Sequence, residues 1–166
     1  MTTNASTTKE NTIRTSEINA AEQRKRIDQA IARRANEIFE SRGATGWREL
    51  EDWRQAESEV RSNFCFGLTT SIDAVLIAFN AGSFETDSIE LWIAPRQITI
   101  SGKPLRPKLL AAAPASVYRG TAFRVITLPA VIDPKHVSVH SKSSFLELYL
   151  PIVQQARDAD ARARAV

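Results

Sequence analysis

The feature that most constrains this chain is a change in hydrophobic periodicity near Asn63. Before that residue, apolar side chains recur every three or four positions, which places them on one face of a helix. After it they recur at every second position, in short runs that end at Gly, Pro or Asn, as in β-strands. Several short strands with no helices between them indicate a sandwich. We therefore predict an α+β protein, in which a helical hairpin precedes an immunoglobulin-like antiparallel β-sandwich.

The hairpin is predicted from two amphipathic segments. Apolar residues at helical spacing predict a first helix from Ala20 to Ser41. Gly43 follows as a residue that can adopt the left-handed conformation at a helix C-terminus. A second helix is predicted from Trp47 to about Ser62. We expect the hairpin core to contain Ile31, Ile38, Leu50 and Trp53. Since about forty residues rarely support a core alone, the hairpin should pack on something else.

The strands are predicted from alternation. They are expected at residues 72–79, 89–93, 98–100, 118–127, 137–140 and 145–150. Both sets of alternating positions in the first strand are apolar, which predicts a strand covered on both faces. Residues 103–116 contain three prolines and are expected to form a loop.

Four regions follow from these patterns. Residues 1–19 are polar and are predicted to be a disordered tail. Residues 20–62 are predicted to be the helical hairpin domain, and residues 69–153 the sandwich domain. Residues 154–166, rich in Ala, Arg and Asp, are predicted to be a C-terminal tail.

Composition and charge indicate where the protein is located and which classes of partner it could bind. The net charge is +3 and no basic block stands out, which disfavours nucleic acid as a partner. The sequence has no apolar run of about eighteen residues, so no membrane span is predicted. We expect a cytoplasmic location. Cys65 is the only cysteine, so an internal disulfide is excluded. Its apolar neighbours predict a buried, unreactive thiol.

No arrangement of residues predicts catalysis, a metal or a cofactor. The six glycines are scattered and form no phosphate-binding loop. His136 and His140 fall in a predicted strand, where residues four apart are separated by about 13 Å. The carboxylates of the second helix alternate with arginines and are interpreted as a solvated, ion-paired face. Trp47 and Trp53 are interpreted as side chains that lock the hairpin. We expect a protein that is not an enzyme.

Two family resemblances are carried by motifs. The segment from Tyr118 to Pro129 resembles the F-x-R-x-x-x-L-P pattern of small heat-shock proteins, and residues 132–137 resemble the turn that follows it. Residues 98–102 resemble that family's L-t-I-s-G strand end, and Leu150-Pro151 its closing L-P. Upstream, residues 31–43 and 50–57 resemble a short bacterial domain of unknown function, with the pattern I-A-x-R-A…E-D-W-x-x-A-E.

The first resemblance implies an α-crystallin-type domain over residues 69–153 and an ATP-independent chaperone, or holdase, of the stress response. Such a protein binds unfolding chains through exposed apolar strand edges and forms dimers or small oligomers. The resemblance implies that the groove strands would contribute Ile89, Leu91, Ile93, Phe145, Leu146 and Leu148. These same residues could instead form the sandwich core.

The chain also departs from that family. Ser144 stands where the family has glycine, and the C-terminal residues lack the I-x-I anchor that links neighbouring domains. An alternative is therefore a non-catalytic interaction adaptor with a CS-type sandwich that forms no large oligomer. A third option is that the arginines between Arg24 and Arg34 contact nucleic acid or a membrane-associated partner.

Overall fold

The computed structural model describes residues 14–16, 19–61, 64–105 and 118–153. The predictions for residues 1–13, for most of the 103–116 loop and for the C-terminal tail lie outside these ranges. Within these ranges, two α-helices and eight strands follow the chain order β1, α1, α2, β2 to β8. Their bounds are β1 Arg14–Ser16, α1 Ala20–Ser41, α2 Glu49–Val60, β2 Phe66–Thr70, β3 Ala74–Asn80, β4 Glu90–Ala94, β5 Gln97–Gly102, β6 Ala122–Thr127, β7 Ser138–Lys142 and β8 Phe145–Pro151.

The helical hairpin forms as predicted, with α1 at its expected bounds. The side chain of Asn19 caps α1 by accepting a hydrogen bond from the backbone N–H of Ala21 at 3.0 Å. The turn after α1 uses Gly43 at φ +86° and Gly46 at φ +85°, which only glycine adopts without strain. The two helices enclose a small apolar core of Ile27, Ala30, Ile31, Ile38, Ala56 and Val60.

Two of the four predicted hairpin-core residues lie elsewhere. Ile31 and Ile38 are buried, but Leu50 is 63% exposed and Trp53 is 40% exposed. The buried stripe of α2 runs through Asp52, Ala56 and Val60, at a spacing of four. Positions 50 and 53 fall outside that stripe. Trp47 is almost fully exposed, so neither tryptophan locks the hairpin as interpreted above.

The sandwich consists of two four-stranded sheets. The first sheet has the order β1-β4-β5-β6 and the second the order β2-β3-β8-β7. All neighbouring strands are antiparallel except β1, which pairs parallel to β4. The inner faces share one core, which includes Val75, Ile77, Phe79, Leu91, Ile93, Ile98, Ile100, Ile126, Leu146, Leu148 and Leu150. The predicted fold class is thereby confirmed.

The hairpin packs on the outer face of the first sheet. Trp92 and Thr99 are cross-strand neighbours on that face, and both are buried. The side chain of Gln23 in α1 accepts a hydrogen bond from the Thr99 hydroxyl at 2.8 Å. The guanidinium of Arg26 lies 4.6 Å from the centre of the Trp92 ring. The hairpin core is too small to be stable alone, and packing on the first sheet provides the additional buried contacts.

Several local predictions are wrong. The strand predicted at residues 72–79 is not covered on both faces along its length, because Leu76 is exposed although Ala74 on the same face is buried. Cys65 is exposed, since it precedes β2 at the edge of the second sheet. His136 lies in a short 3₁₀ turn, Pro134–His136, rather than in a strand. Strands β1 and β2 were not expected, and β1 lies within the predicted disordered tail.

Candidate interaction surface

The second sheet has an outer face that no described element covers. The sequence of β8, FLELYLP, alternates so that Leu146, Leu148 and Leu150 enter the core. Phe145 and Tyr149 therefore point outward, and each keeps a large part of its surface exposed. Leu76 of β3 pairs with Tyr149 in register and is also exposed. We call this outward side of the sheet, with its exposed apolar residues Leu76, Phe145 and Tyr149, the open face.

A shallow cleft of about 410 Å³ lies on the open face beside Leu76 and Tyr149. Its floor runs along one cross-strand row, in which Gly67 pairs with Ala78 and Ala78 pairs with Glu147. Small side chains at two successive positions of that row leave the space. His140 pairs with Glu147 at the far end, so one end of the cleft is polar. The cleft thus has an apolar wall and a polar end.

The sheet edges differ in how they are covered. In the first sheet β1 pairs with β4 over three residues, so that sheet ends at β1 and β6. The second sheet ends at β2 and β7, and no strand within the described ranges pairs with their outer sides. Both edge strands are largely exposed. Unpaired N–H and C=O groups at such edges can accept another extended chain.

The predicted groove residues lie mostly inside the sandwich. Ile89, Leu91 and Ile93 are buried at or beside β4, and Leu146 and Leu148 are buried in β8. Only Phe145, at 49% exposure, is accessible from solvent. Their role in binding stays a prediction, whereas the exposed Leu76 and Tyr149 were missed. The alternation of Phe145, Glu147 and Tyr149 around the core leucines was the signal that could have identified them.

The charged groups of the hairpin are more buried than a solvated face would be. Asp52 is buried and accepts a hydrogen bond from Nη2 of Arg42 at 2.6 Å. That hydrogen bond is the main reason why the pKa of Arg42 lies above its ordinary value. The pair Arg61–Glu57 is exposed, as predicted for the outer side of α2. The buried pair links the two helices next to their connecting turn.

His136 makes a surface contact with a carboxylate. Nδ1 of His136 lies 2.6 Å from Oδ2 of Asp133 on the surface. This contact, followed by the backbone N–H of Lys135, lowers the pKa of Asp133. Among the residues that the structure describes, no three His, Cys, Asp or Glu side chains cluster so that they could hold a metal ion. No helix in the same ranges is long and apolar enough to cross a membrane.

Part of the hairpin matches a known family model. Residues 28–62 match the family described as "Protein of unknown function (DUF2934)". The match covers α2 and most of α1, and it confirms the resemblance of this region to a domain of unknown function. None of the curated proteins matches the chain.

The solved structures that resemble this chain are small heat-shock proteins, as the motifs predicted. Heat shock protein 16.0 from Schizosaccharomyces pombe is 16% identical, with 62% of this chain and 77% of that one covered at a TM-score of 0.49. HspA from Xanthomonas axonopodis is 13% identical, with 54% of this chain and 92% of that one covered at a TM-score of 0.44. At such scores the overlaps carry no functional assignment. The sandwich is assigned from its own strand order.

Proposed function

We propose that this protein is an ATP-independent holdase that binds unfolding proteins through the open face and the adjoining strand edges. The observation that supports this most directly is the open face, where Leu76, Phe145 and Tyr149 are exposed on the outer side of the second sheet. The opposite sheet is covered by the hairpin, so the two sides of the sandwich differ in what they offer to a partner.

Unfolding proteins expose apolar side chains and unpaired backbone. The open face can bury such apolar side chains, and the edges of β2 and β7 can pair with the exposed backbone. Each buried leucine side chain contributes about 1.5–3 kcal/mol, so a few weak contacts give reversible capture without nucleotide hydrolysis. Binding of this kind needs no catalytic group.

Light scattering of a heated client protein tests this proposal. The unaltered chain should suppress aggregation near stoichiometric ratios without ATP. Because the open face loses apolar area, Leu76→Ser combined with Tyr149→Ser should require several-fold more protein for the same protection. Leu50→Ser is the matched control, since Leu50 is an exposed leucine on α2, away from the open face. Absence of suppression by the unaltered chain, or equal loss in the control, would contradict the proposal.

The alternative function is a non-catalytic adaptor that docks specific partners and forms no large assembly. One observation favours it: β1 already occupies the edge of β4, where a neighbouring chain could otherwise add a strand. Light scattering combined with size-exclusion chromatography separates the two proposals. A monomer or dimer that fails to suppress aggregation supports the adaptor. A small oligomer that protects clients supports the holdase.

A further inference from the structure

A second recess lies on the opposite side of the molecule from the open face, between α1 and the residues that lead into β6. Its volume is about 760 Å³, within the range of sites that bind small molecules. Its charged lining consists of Arg26, Arg33, Arg34, Glu37, Lys103 and Arg119. Among the described residues, five cationic side chains and one carboxylate therefore face a single space, although the net charge of the whole chain is only +3.

Two of the five cations are held by carboxylates. Arg26 lies 3.6 Å from Glu22, and Arg34 lies 2.5 Å from Glu59 and 3.1 Å from Glu37. The three others are Arg33, Lys103 and Arg119. None of the ion pairs within the described ranges involves them. Cationic side chains outnumber the one carboxylate in this recess, so they repel each other in part, and a bound anion relieves that repulsion.

The back of the recess is fixed in place. Arg34 is 3% exposed and its guanidinium lies 5.5 Å from the centre of the Tyr118 ring. The Tyr118 hydroxyl donates a hydrogen bond to the carbonyl oxygen of Thr121 at 2.6 Å. Burial is the main cause that raises the pKa of Tyr118 above its ordinary value. A fixed wall lowers the entropy that binding costs.

We propose that this recess is a binding site for a compact phosphorylated small molecule, with Arg33, Lys103 and Arg119 contacting the phosphate oxygens. Guanidinium groups present paired N–H donors that match the geometry of phosphate, and several of them converge here. The Tyr118 ring on the same wall can contact an apolar or aromatic part of the ligand. This site is independent of the holdase proposal, because it lies on the hairpin side of the first sheet.

The neighbouring surface favours a compact ligand over a nucleic acid chain. Lys103 and Thr121 also line an adjoining recess of about 360 Å³, whose other charged residues are Glu85, Asp87 and Glu90. A continuous phosphate backbone that extended past Lys103 would meet these carboxylates and be repelled. A ligand whose phosphates end within the cationic recess avoids them.

Titration calorimetry on the full chain at low ionic strength tests the proposal, with tripolyphosphate, ATP and inorganic phosphate as probes. We expect one site for tripolyphosphate and ATP, with affinity that falls as salt is added. Arg33→Gln combined with Arg119→Gln should weaken binding at least about tenfold, because two charge-assisted contacts are lost. Both arginines are exposed, so the variant should keep the circular dichroism spectrum of the unaltered chain.

Arg24→Gln is the matched control, since Arg24 is an exposed arginine of α1 that does not line the recess. The affinity of this variant for tripolyphosphate and ATP should stay within about twofold of that of the unaltered chain. Tighter binding of ATP than of tripolyphosphate would identify a nucleotide, and equal binding would identify a phosphate chain alone. The proposal is overturned if neither tripolyphosphate nor ATP binds, or if the control weakens binding as much as the double variant. Tighter binding of an RNA oligonucleotide than of tripolyphosphate would also overturn it.

Discussion

At the scale of single residues, Gly102 marks a point where the sandwich has no spare space. A Cβ atom at this position would lie 2.9 Å from Cδ1 of Phe84 and 3.3 Å from its Cγ. Phe84 is buried in the core, so its ring cannot move aside freely. Gly102→Ala should therefore lower the free energy of unfolding by about 1–3 kcal/mol, measured by chemical denaturation.

Gly67→Ala provides the comparison for that prediction. Gly67 is also in a strand, but a Cβ atom there would meet only the Ala78 carbonyl oxygen, at 4.0 Å. Its free energy of unfolding should change by less than about 1 kcal/mol. If both variants are equally stable, the close approach at Gly102 does not exist in solution.

The contact between Asp133 and His136 predicts a dependence of stability on pH. The hydrogen bond between Asp133 and His136 is the main cause that lowers the pKa of Asp133 in the folded protein. A lowered carboxyl pKa means that the folded state favours the charged form. The stabilisation is therefore present above the ordinary pKa of aspartate and is lost as the pH falls through the lower, folded value. Thermal unfolding across the acidic range should show this loss for the unaltered chain.

Asp133→Asn is the variant that isolates this group. It should reduce the melting temperature near neutral pH and bring the two proteins closer together in acid, because the unaltered carboxyl becomes protonated there. A difference between the two proteins that stays constant down to the lowest pH would show that the charge of Asp133 is not involved.

At the scale of the elements, two ion pairs on α2 differ in burial. Glu59 holds the buried Arg34 of α1 at 2.5 Å, whereas the exposed Glu57 pairs with Arg61, which directly follows α2. Glu59→Gln should lower the free energy of unfolding by about 1–2 kcal/mol, because Arg34 loses its main counter-charge but keeps Glu37. Glu57→Gln should cost less than about 0.5 kcal/mol. Equal effects in chemical denaturation would contradict the structural role of Arg34.

The elements also show which features the sequence could predict. Helix α1 was predicted at its observed bounds, because its apolar stripe and the following Gly43 both mark its extent. The assignment of Leu50 and Trp53 to the hairpin core was wrong, because the phase of α2 is set by its packing on α1. Strand β2 was missed since Gly67, Thr69 and Thr70 give it little apolar alternation. Strand β2 forms because it pairs with β3 in the folded chain.

The candidate surfaces were less predictable than the strands. Alternation places Leu148 and Tyr149 on opposite faces, but it does not say which face another element covers. That choice depends on where the hairpin packs, and the contact of Gln23 with Thr99 spans 76 residues of sequence. The cationic recess also joins α1 to residues near Lys103 and Tyr118, so no local pattern could reveal it.

At the scale of the whole molecule, the hairpin acts as a cover for the first sheet. Removing residues 1–62 would expose Trp92 and Thr99 and would leave two open sheet faces instead of one. The shortened chain should bind more of a hydrophobic dye and aggregate at lower concentration than the full chain. Dye fluorescence and sedimentation check this. Equal dye binding by the two proteins would show that the hairpin does not cover the sheet.

The strand β1 has a kinetic consequence for any partner of the first sheet. Only three residues separate its end at Ser16 from the start of α1 at Ala20, and α1 is anchored on the same sheet. A segment on so short a tether competes for the β4 edge at an effective concentration on the order of millimolar. A strand from another molecule can therefore pair with β4 only after β1 has dissociated. It must then bind faster than β1 rebinds. Self-association through β4 is restrained by the chain's own N-terminal segment, and its removal is the simplest way to release that restraint.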